Sequence, residues 1–287
     1  MLLSFYLLSL SFILPVLVVS LIQKKREKII RSLTLLVILH ILCLAIWQGI
    51  SSFILFVTSV LCLSVYELSS YYKINCLIGV LINVLVFEIL VFNHNQQMLQ
   101  WAIVSFFIIS VVTFTANKVN IRTILYLFGF STCFLITCSI FLIELFKINS
   151  KTIILIFLLL QLNDSFSYLF GKKFGRTKLF PTISPNKTLE GYLCGAVGII
   201  LGIFLLHTLI PILSKQTFVQ DITIFLVVLV FANMGDLLLS SLKRKLGIKD
   251  FSHILAGHGG VLDRFDNIFF VAPIFYLLFA CYFTIFN

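Results

Sequence analysis

Ten apolar runs, each close to the length of a membrane crossing, constrain this chain more than any other feature. They fall at about residues 2–22, 32–48, 51–70, 74–92, 98–115, 123–146, 152–170, 191–214, 218–241 and 265–286. An α-helix rises about 1.5 Å per residue, so roughly 20 apolar residues span the hydrocarbon layer of a bilayer. Of the 287 residues, 60% are hydrophobic and 11% charged, where a soluble domain has about 45–50% and about 25%. A soluble fold of this size has no interior large enough for that surface. The sequence predicts an all-α, polytopic integral membrane helix bundle of about ten transmembrane helices. Any chemistry must sit on the helices and their short connections.

Charge supplies the topology. The first run has no basic residue before it and Lys24, Lys25, Arg26, Lys28 and Arg31 just after it. A cleavable signal peptide carries its charge in front, so this run reads as a retained helix with its N-terminus outside. Threading ten spans puts 18 of the 21 Lys and Arg residues on one side and only Lys147, Lys151 and Lys215 on the other. The positive-inside rule makes the first side the cytoplasm and leaves both termini outside. The break between the second and third runs rests on Gln48 and Gly49 alone. The net charge of +10 is thus mostly topological, with some attraction to anionic membrane lipids, and nucleic acid is not expected as a partner. The seven cysteines all lie in apolar runs without CxxC spacing and read as packing residues.

Two cytoplasmic connections differ from the rest. Residues 171–190 (GKKFGRTKLFPTISPNKTLE) and 242–264 (LKRKLGIKDFSHILAGHGGVLDR) are long, basic and glycine-containing. Polar residues inside the membrane precede both: Gln161, Asn163 and Asp164 before one, Asn233, Asp236 and Ser240 before the other. The chain divides accordingly into residues 1–150, for membrane embedding and packing, and a catalytic region at 151–287.

A carboxylate inside a bilayer costs roughly 2.5–3.5 kcal/mol on insertion scales, which makes Asp236 a functional candidate. It lies about 9 Å below the basic loop and shares a helix face with Ser240 and Lys243, at i, i+4 and i+7. Arg244 continues the row from Ser240. The segment HGGVLDRFD places Asp263 and Asp266 at the start of the following antiparallel helix, where Asp236 and Asp263 can meet. Two carboxylates at close range need positive charge between them. A hard divalent cation, Mg²⁺ above all, would supply it. The alternative is a pair of salt bridges, Asp263 to Lys243 and Asp266 to Lys249. His258, Gly259 and Gly260 form a turn whose successive N–H groups can make an anion nest, with Lys249, Asp250 and Arg264 close in sequence. In the other connection Ser184, Lys187 and Thr188 could bind phosphate, and Glu190 could cap the next helix. Asp164 reads either as a further cation partner or as an anchor for Lys172 or Lys187. Glu67 and Glu144 read as acids snorkelling from helix ends, and Glu88 as remote from the basic loops. The series Gly191, Gly195, Gly198, Gly202 reads as close helix packing, within the bundle or between subunits.

The stretch from Ser240 to Asp266, SSLKRKLGIKDFSHILAGHGGVLDRFD, closely resembles the signature of the phosphatidate cytidylyltransferases, or CDP-diacylglycerol synthases: S-x-x-K-R, then K-D, then H-G-G-x-x-D-R-x-D. NDSFSYLFGKKFG and SPNKTLEG resemble a second region of that family. Ala256 stands where the family usually has Pro or Gly, and Ser167 where Ala is common; every charged position is kept. The resemblance implies transfer of a cytidylyl group from CTP to phosphatidic acid, giving CDP-diacylglycerol and pyrophosphate at the cytoplasmic face of the cell membrane. It further implies that Asp236 and Asp263 hold Mg²⁺, with a monovalent cation such as K⁺ as a second ion. Lys243, Arg244, Lys249, Lys187 and Ser184 would bind phosphates, His258, Gly259 and Gly260 would shape the nucleotide loop, and the chain would form a homodimer.

A relative acting on another lipid phosphate, or on a polyprenol-type lipid, would carry the same phosphate chemistry. A secondary transporter would place its acids near the bilayer midplane in two related halves. Here they cluster at one face and in one half.

Overall fold

The computed structural model describes residues 26–72, 75–92, 121–209, 218–245, 247–248, 250–252, 254–255 and 259–283. The helices are α1 (Arg26–Gln48), α2 (Ile50–Tyr71), α3 (Cys76–Phe92), α4 (Ile121–Ile148), α5 (Ser150–Phe174), α6 (Leu189–Leu209), α7 (Phe218–Val227), α8 (Asn233–Lys245) and α9 (Leu262–Phe283). Five stretches are long and apolar enough to cross a membrane: Ile50–Tyr71, Ser131–Ile148, Ser150–Phe174, Leu189–Thr208 and Phe218–Arg244. The apolar runs expected at 2–22 and 98–115, and both chain termini, lie outside the described residues.

The thin evidence for a break at Gln48-Gly49 corresponds to a real one. Gly49 has φ +103° and ends α1 one residue before α2 begins; a side chain there would force the backbone into a region that L-residues avoid. Asn149 separates α4 from α5 in the same economical way, its side chain accepting the Lys151 N–H at 3.0 Å as an N-cap.

The core lies where α2, α4, α5 and α9 meet. Phe53 of α2 stacks on Phe146 of α4 with ring centroids 4.4 Å apart, and Phe265 of α9 meets Phe56 of α2 and Phe157 of α5 edge-on. The apolar faces of α3 and α6 remain exposed, as Leu81, Leu85, Ile200 and Phe204 show; in a bilayer that surface faces lipid or neighbouring helices. The six cysteines whose side chains are described are free thiols.

The glycine series on α6 belongs to the bundle interior. A Cβ at Gly191 would lie 2.9 Å from the Ser167 carbonyl oxygen, at Gly198 2.9 Å from the Leu162 carbonyl oxygen, and at Gly202 2.6 Å from Leu159. All three obstacles are on α5, so the stripe lets two backbones approach to contact.

Two features depart from an all-α expectation of regular spans. The 171–190 connection contains a β-hairpin, β1 (Lys178–Phe180) and β2 (Ser184–Thr188), antiparallel with Lys178 opposite Thr188, Phe180 opposite Ser184 and a bulge between. Pro181 follows β1 directly and presets φ for the turn, while Pro185, which has no N–H to donate, is tolerated because a two-stranded sheet is all edge. The last long span is also not one regular helix: a π-helical turn at Val228–Ala232 joins α7 to α8.

Candidate active site

The hairpin is fixed at both ends by side-chain hydrogen bonds. Thr188 Oγ1 accepts the Gly191 N–H at 3.2 Å, so Thr188 caps α6. Glu190 does not cap that helix as expected from sequence. Its carboxylate reaches back to accept the N–H groups of Arg176 (3.0 Å) and Thr177 (3.1 Å) where the chain leaves α5. These contacts hold β2 beside α8, and Lys187 on β2 meets Asp236 in the first turn of that helix.

Asp236 Oδ2 lies 2.7 Å from Lys187 Nζ, and its Oδ1 accepts the Ser240 hydroxyl at 3.2 Å. The i, i+4 spacing read from sequence is therefore a contact. The π-helical turn stands directly before this helix. A π turn adds a residue to the helical register, and the Leu229 carbonyl released by it accepts the Asn233 side-chain amide at 2.7 Å. Asp164 on α5 makes no close ion pair with Lys172 or Lys187, although the Lys187 charge acts on it electrostatically. Its oxygens accept Asn267 Nδ2 at 2.9 Å and Asn163 Nδ2 at 3.2 Å. Asp266 on α9 is buried and interacts electrostatically with Asp236, Asp164 and Lys243. Three acids from α5, α8 and α9 thus face one region.

Asp263 has a different set of partners. Its Oδ1 lies 2.9 Å from Lys243 Nζ, in a pair whose side chains are only 12% and 6% exposed. Its Oδ2 accepts the N–H groups of Gly260 (3.0 Å) and Phe251 (3.2 Å). The salt-bridge alternative for Asp263 and Lys243 is the arrangement present. Gly259 has φ +81°, as expected of a glycine turn. The N–H groups that bind anions here are those of Gly260 and the two residues after it, and the anions are two carboxylates of this chain. Gly260 donates to Asp263, while Val261 and Leu262 donate to Glu67 at 2.7 and 3.0 Å.

Glu67 thus does not snorkel. It is 1% exposed and accepts the Ser252 hydroxyl at 2.6 Å besides the two backbone donors. Sequence reasoning missed this role, although the cost of a carboxylate in an apolar run was the same signal that singled out Asp236. It also missed Asn267, the residue after Asp266, whose side-chain amide holds Asp164.

The two basic connections are joined by Arg244. Its Nε donates to the Ile183 carbonyl in the hairpin turn at 3.3 Å, and its Nη1 to the Ile248 carbonyl at 3.2 Å. Alpha-helix α8 ends below it in a Schellman motif: Ile248 N bonds to the Lys243 carbonyl, Gly247 N to the Arg244 carbonyl, and Gly247 has φ +71°. Asp250 lies against Gly259, and Arg264 is exposed in the first turn of α9. Lys249 and His258 lie outside the described residues.

Between the hairpin, α5, α6 and α8 is a cavity of about 550 Å³, the size of an ordinary small-molecule site. Its lining mixes polar side chains, Asp164, Ser184, Lys187, Thr188, Asp236 and Asn267 among them, with apolar and aromatic ones such as Tyr168, Leu179, Tyr192, Val230 and Met234. The structure thus brings Asp164, Ser184, Lys187, Thr188 and Asp236 to one cavity, while Asp263, Lys243, Gly259 and Gly260 do not line it and are grouped around the start of α9. Such a site offers carboxylates and an ammonium to a phosphorylated ligand and apolar surface to whatever the phosphate carries.

The cytidylyltransferase family model matches residues 29–282, most of the chain and all of this site. The chain belongs to the cytidylyltransferase family. Similar members include the phosphatidate cytidylyltransferase of Aquifex aeolicus, 40% identical over 153 residues, which are 52% of this chain and 56% of the relative. That of Bacillus subtilis is 38% identical over 175 residues, 59% of this chain and 61% of the relative. That of Staphylococcus epidermidis is 40% identical over 134 residues, 45% of this chain and 48% of the relative. The chain spans about half the length of the curated relatives it matches. For this cytidylyltransferase-family chain the all-helical membrane reading holds in its coarse form, with five spans by length and apolarity among the described residues.

Proposed function

We propose that this chain transfers a cytidylyl group from CTP to phosphatidic acid, forming CDP-diacylglycerol and releasing pyrophosphate. The observation that carries the reading is the cavity that joins Lys187, Asp236 and Asp164 to apolar side chains, in a chain of this family and similar to phosphatidate cytidylyltransferases. A phosphate head on an apolar tail is what such a cavity suits. Ten spans with both termini outside, a cytoplasmic site in the cell membrane and a homodimer complete the proposal.

In this reaction a phosphate oxygen of the lipid attacks the α-phosphorus of CTP. A new P–O bond forms, the bond from the α-phosphorus to the bridging oxygen breaks, and the electron pair leaves with pyrophosphate. The nucleophile is already ionised at neutral pH, so the chain's residues need not abstract a proton. Their work is to bring two polyanions together and hold them in line. Lys187 neutralises phosphate charge from the hairpin. Arg244 keeps the hairpin turn and the 242–264 connection at a fixed separation, with Ser184 and Ser240 as hydroxyl donors nearby.

Magnesium suits the donors present. Asp164, Asp236 and Asp266 are hard oxygen ligands, and Asn267 Oδ1 is buried without a partner among the described residues. No three His, Cys, Asp or Glu side chains among the described residues are grouped closely enough to hold a metal by themselves. Mg²⁺ ordinarily takes one or two carboxylates plus substrate phosphates and water, which is compatible with that sparseness. Asp236 and Asp263 would hold it, with K⁺ as a companion ion; when bound it would offset charge on the transferring phosphoryl group. The test is turnover by the purified full chain with radiolabelled CTP and phosphatidate in mixed micelles. CDP-diacylglycerol and pyrophosphate in equal amounts are expected, with none from Asp236→Asn. No pyrophosphate with any lipid phosphate would refute the proposal.

A further inference from the structure

We propose that Glu67, in the half of the chain outside the signature, is a positioning residue that sets the height and rotation of α9 and so aims Asp263, Asp266 and Asn267. The inference rests on the cytidylyl-transfer reading, because it concerns where those three groups stand. Its basis is a contact between parts of the chain 185 to 195 residues apart: one carboxylate of α2 accepts Ser252 Oγ, Val261 N and Leu262 N. The acceptor is buried, so no water competes for those donors.

The geometry is specific to a carboxylate at this depth. Val261 and Leu262 stand at the start of α9, where backbone N–H groups have no helical partner and the helix dipole favours negative charge. Asp263 takes the neighbouring Gly260 N–H from the other side. Two acids therefore share one turn, Glu67 from α2 and Asp263 from α9 itself. The fit also accounts for a glycine in the motif. A Cβ on Gly260 would lie 2.7 Å from Glu67 Oε2, so position 260 has no room for a side chain while Glu67 holds its place. Within the next five residues α9 carries Asp263, Asp266 and Asn267, so a shift or rotation at its first turn moves all three. Glutamine replaces the acid only in part: its carbonyl oxygen can accept one of the two backbone N–H groups, and its NH₂ would then face the other.

The test compares the full-length wild type with Glu67→Gln and Ser252→Ala, measuring kcat, KM for CTP and KM for phosphatidate on the folded fraction. Hydrogen exchange of the 260–262 amides is measured alongside. For Glu67→Gln a fall in kcat of about 30-fold or more is expected, with KM for phosphatidate within about twofold and faster exchange at 260–262. Ser252→Ala, which removes one donor and keeps the acid, should lower kcat about threefold. Wild-type kcat in a folded Glu67→Gln protein overturns the inference. If that protein does not fold, wild-type kcat and exchange in Ser252→Ala overturn it instead. An inactive wild type would strike the underlying reading, which separates the two failures.

Discussion

Lys187 of the hairpin and Asp236 of α8 meet at 2.7 Å in the lining of the cavity. The ammonium comes from a strand whose position depends on two helix-end contacts, and the carboxylate from the first turn of a helix set in register by a π turn. Neither partner is placed by its own segment alone.

That pair is 23% and 35% exposed, so it adds little to stability, about 0–1 kcal/mol. Lys187→Met should therefore leave thermal stability almost unchanged. A lost charge-assisted contact to phosphate costs about 1.5–3 kcal/mol, which predicts a fall in kcat/KM for CTP of roughly 10- to 100-fold. Lys187→Arg should recover part of it. Steady-state kinetics at two salt concentrations checks this, with the difference between Lys and Met shrinking at high salt if the contact is electrostatic.

Lys243 and Asp263 should behave in the opposite way. Their pair is nearly enclosed, and removing one member of a buried pair costs about 3–5 kcal/mol because the other charge is left alone. Lys243→Met should lower the thermal midpoint on the order of 10 °C. Adding Asp263→Asn to Lys243→Met should cost less than the two single changes together. A thermal double-mutant cycle on the detergent-solubilised protein measures the coupling.

The row of Asp236, Ser240 and Lys243 was legible in sequence because helical periodicity places i, i+4 and i+7 on one face. Asp236 and Ser240 are in contact for that reason. Lys243–Asp263 stood in the sequence as a salt-bridge alternative, whereas Lys187–Asp236 was not foreseen. The ends of α2 to α5 lie within four residues of the apolar runs at 51–70, 74–92, 123–146 and 152–170, whereas α1 starts six residues before its run, in the basic stretch that apolar length does not mark. Partners from distant segments were not legible. Nothing near Glu67 announces Val261 and Leu262, and nothing near Asp164 announces Asn267, because those contacts depend on how helices cross. The π turn left no mark of its own, because Val228–Ala232 continues the apolar run of α7 and the polar residues Asn233, Asp236 and Ser240 begin only beyond it. The HGG segment reads from its glycines as a turn able to bind an anion; the donors that do so are Gly260 and the two residues after the segment, and their acceptors are carboxylates of this same chain, which the sequence does not announce.

Withdrawing divalent cations tests the metal proposal separately from the lysines. Chelation should abolish CDP-lipid formation, and Mg²⁺ should restore it. Asp236→Asn should stay inactive at any Mg²⁺ concentration, while Lys187→Met should retain a normal Mg²⁺ dependence at reduced rate. Undiminished turnover after chelation would remove the metal from the mechanism.

Two glycines in comparable helices should respond to alanine with opposite sign. At Gly195, on α6, an added Cβ would stand 2.6 Å from Asn163 Oδ1 and closer still to Ser167 Oγ, both on α5. Overpacking of this kind costs about 1–3 kcal/mol, and here it would push α5 away from α6 and shift Asp164, one residue beyond Asn163. At Gly129, on α4, nothing lies within 4 Å of the added atom. Alanine there reduces the freedom of the unfolded chain and should stabilise by about 0.4–1 kcal/mol. Gly195→Ala should therefore lower both the thermal midpoint and kcat, while Gly129→Ala raises the midpoint and leaves kcat alone. Equal responses at the two positions would mean that the α5–α6 contact does not set the site.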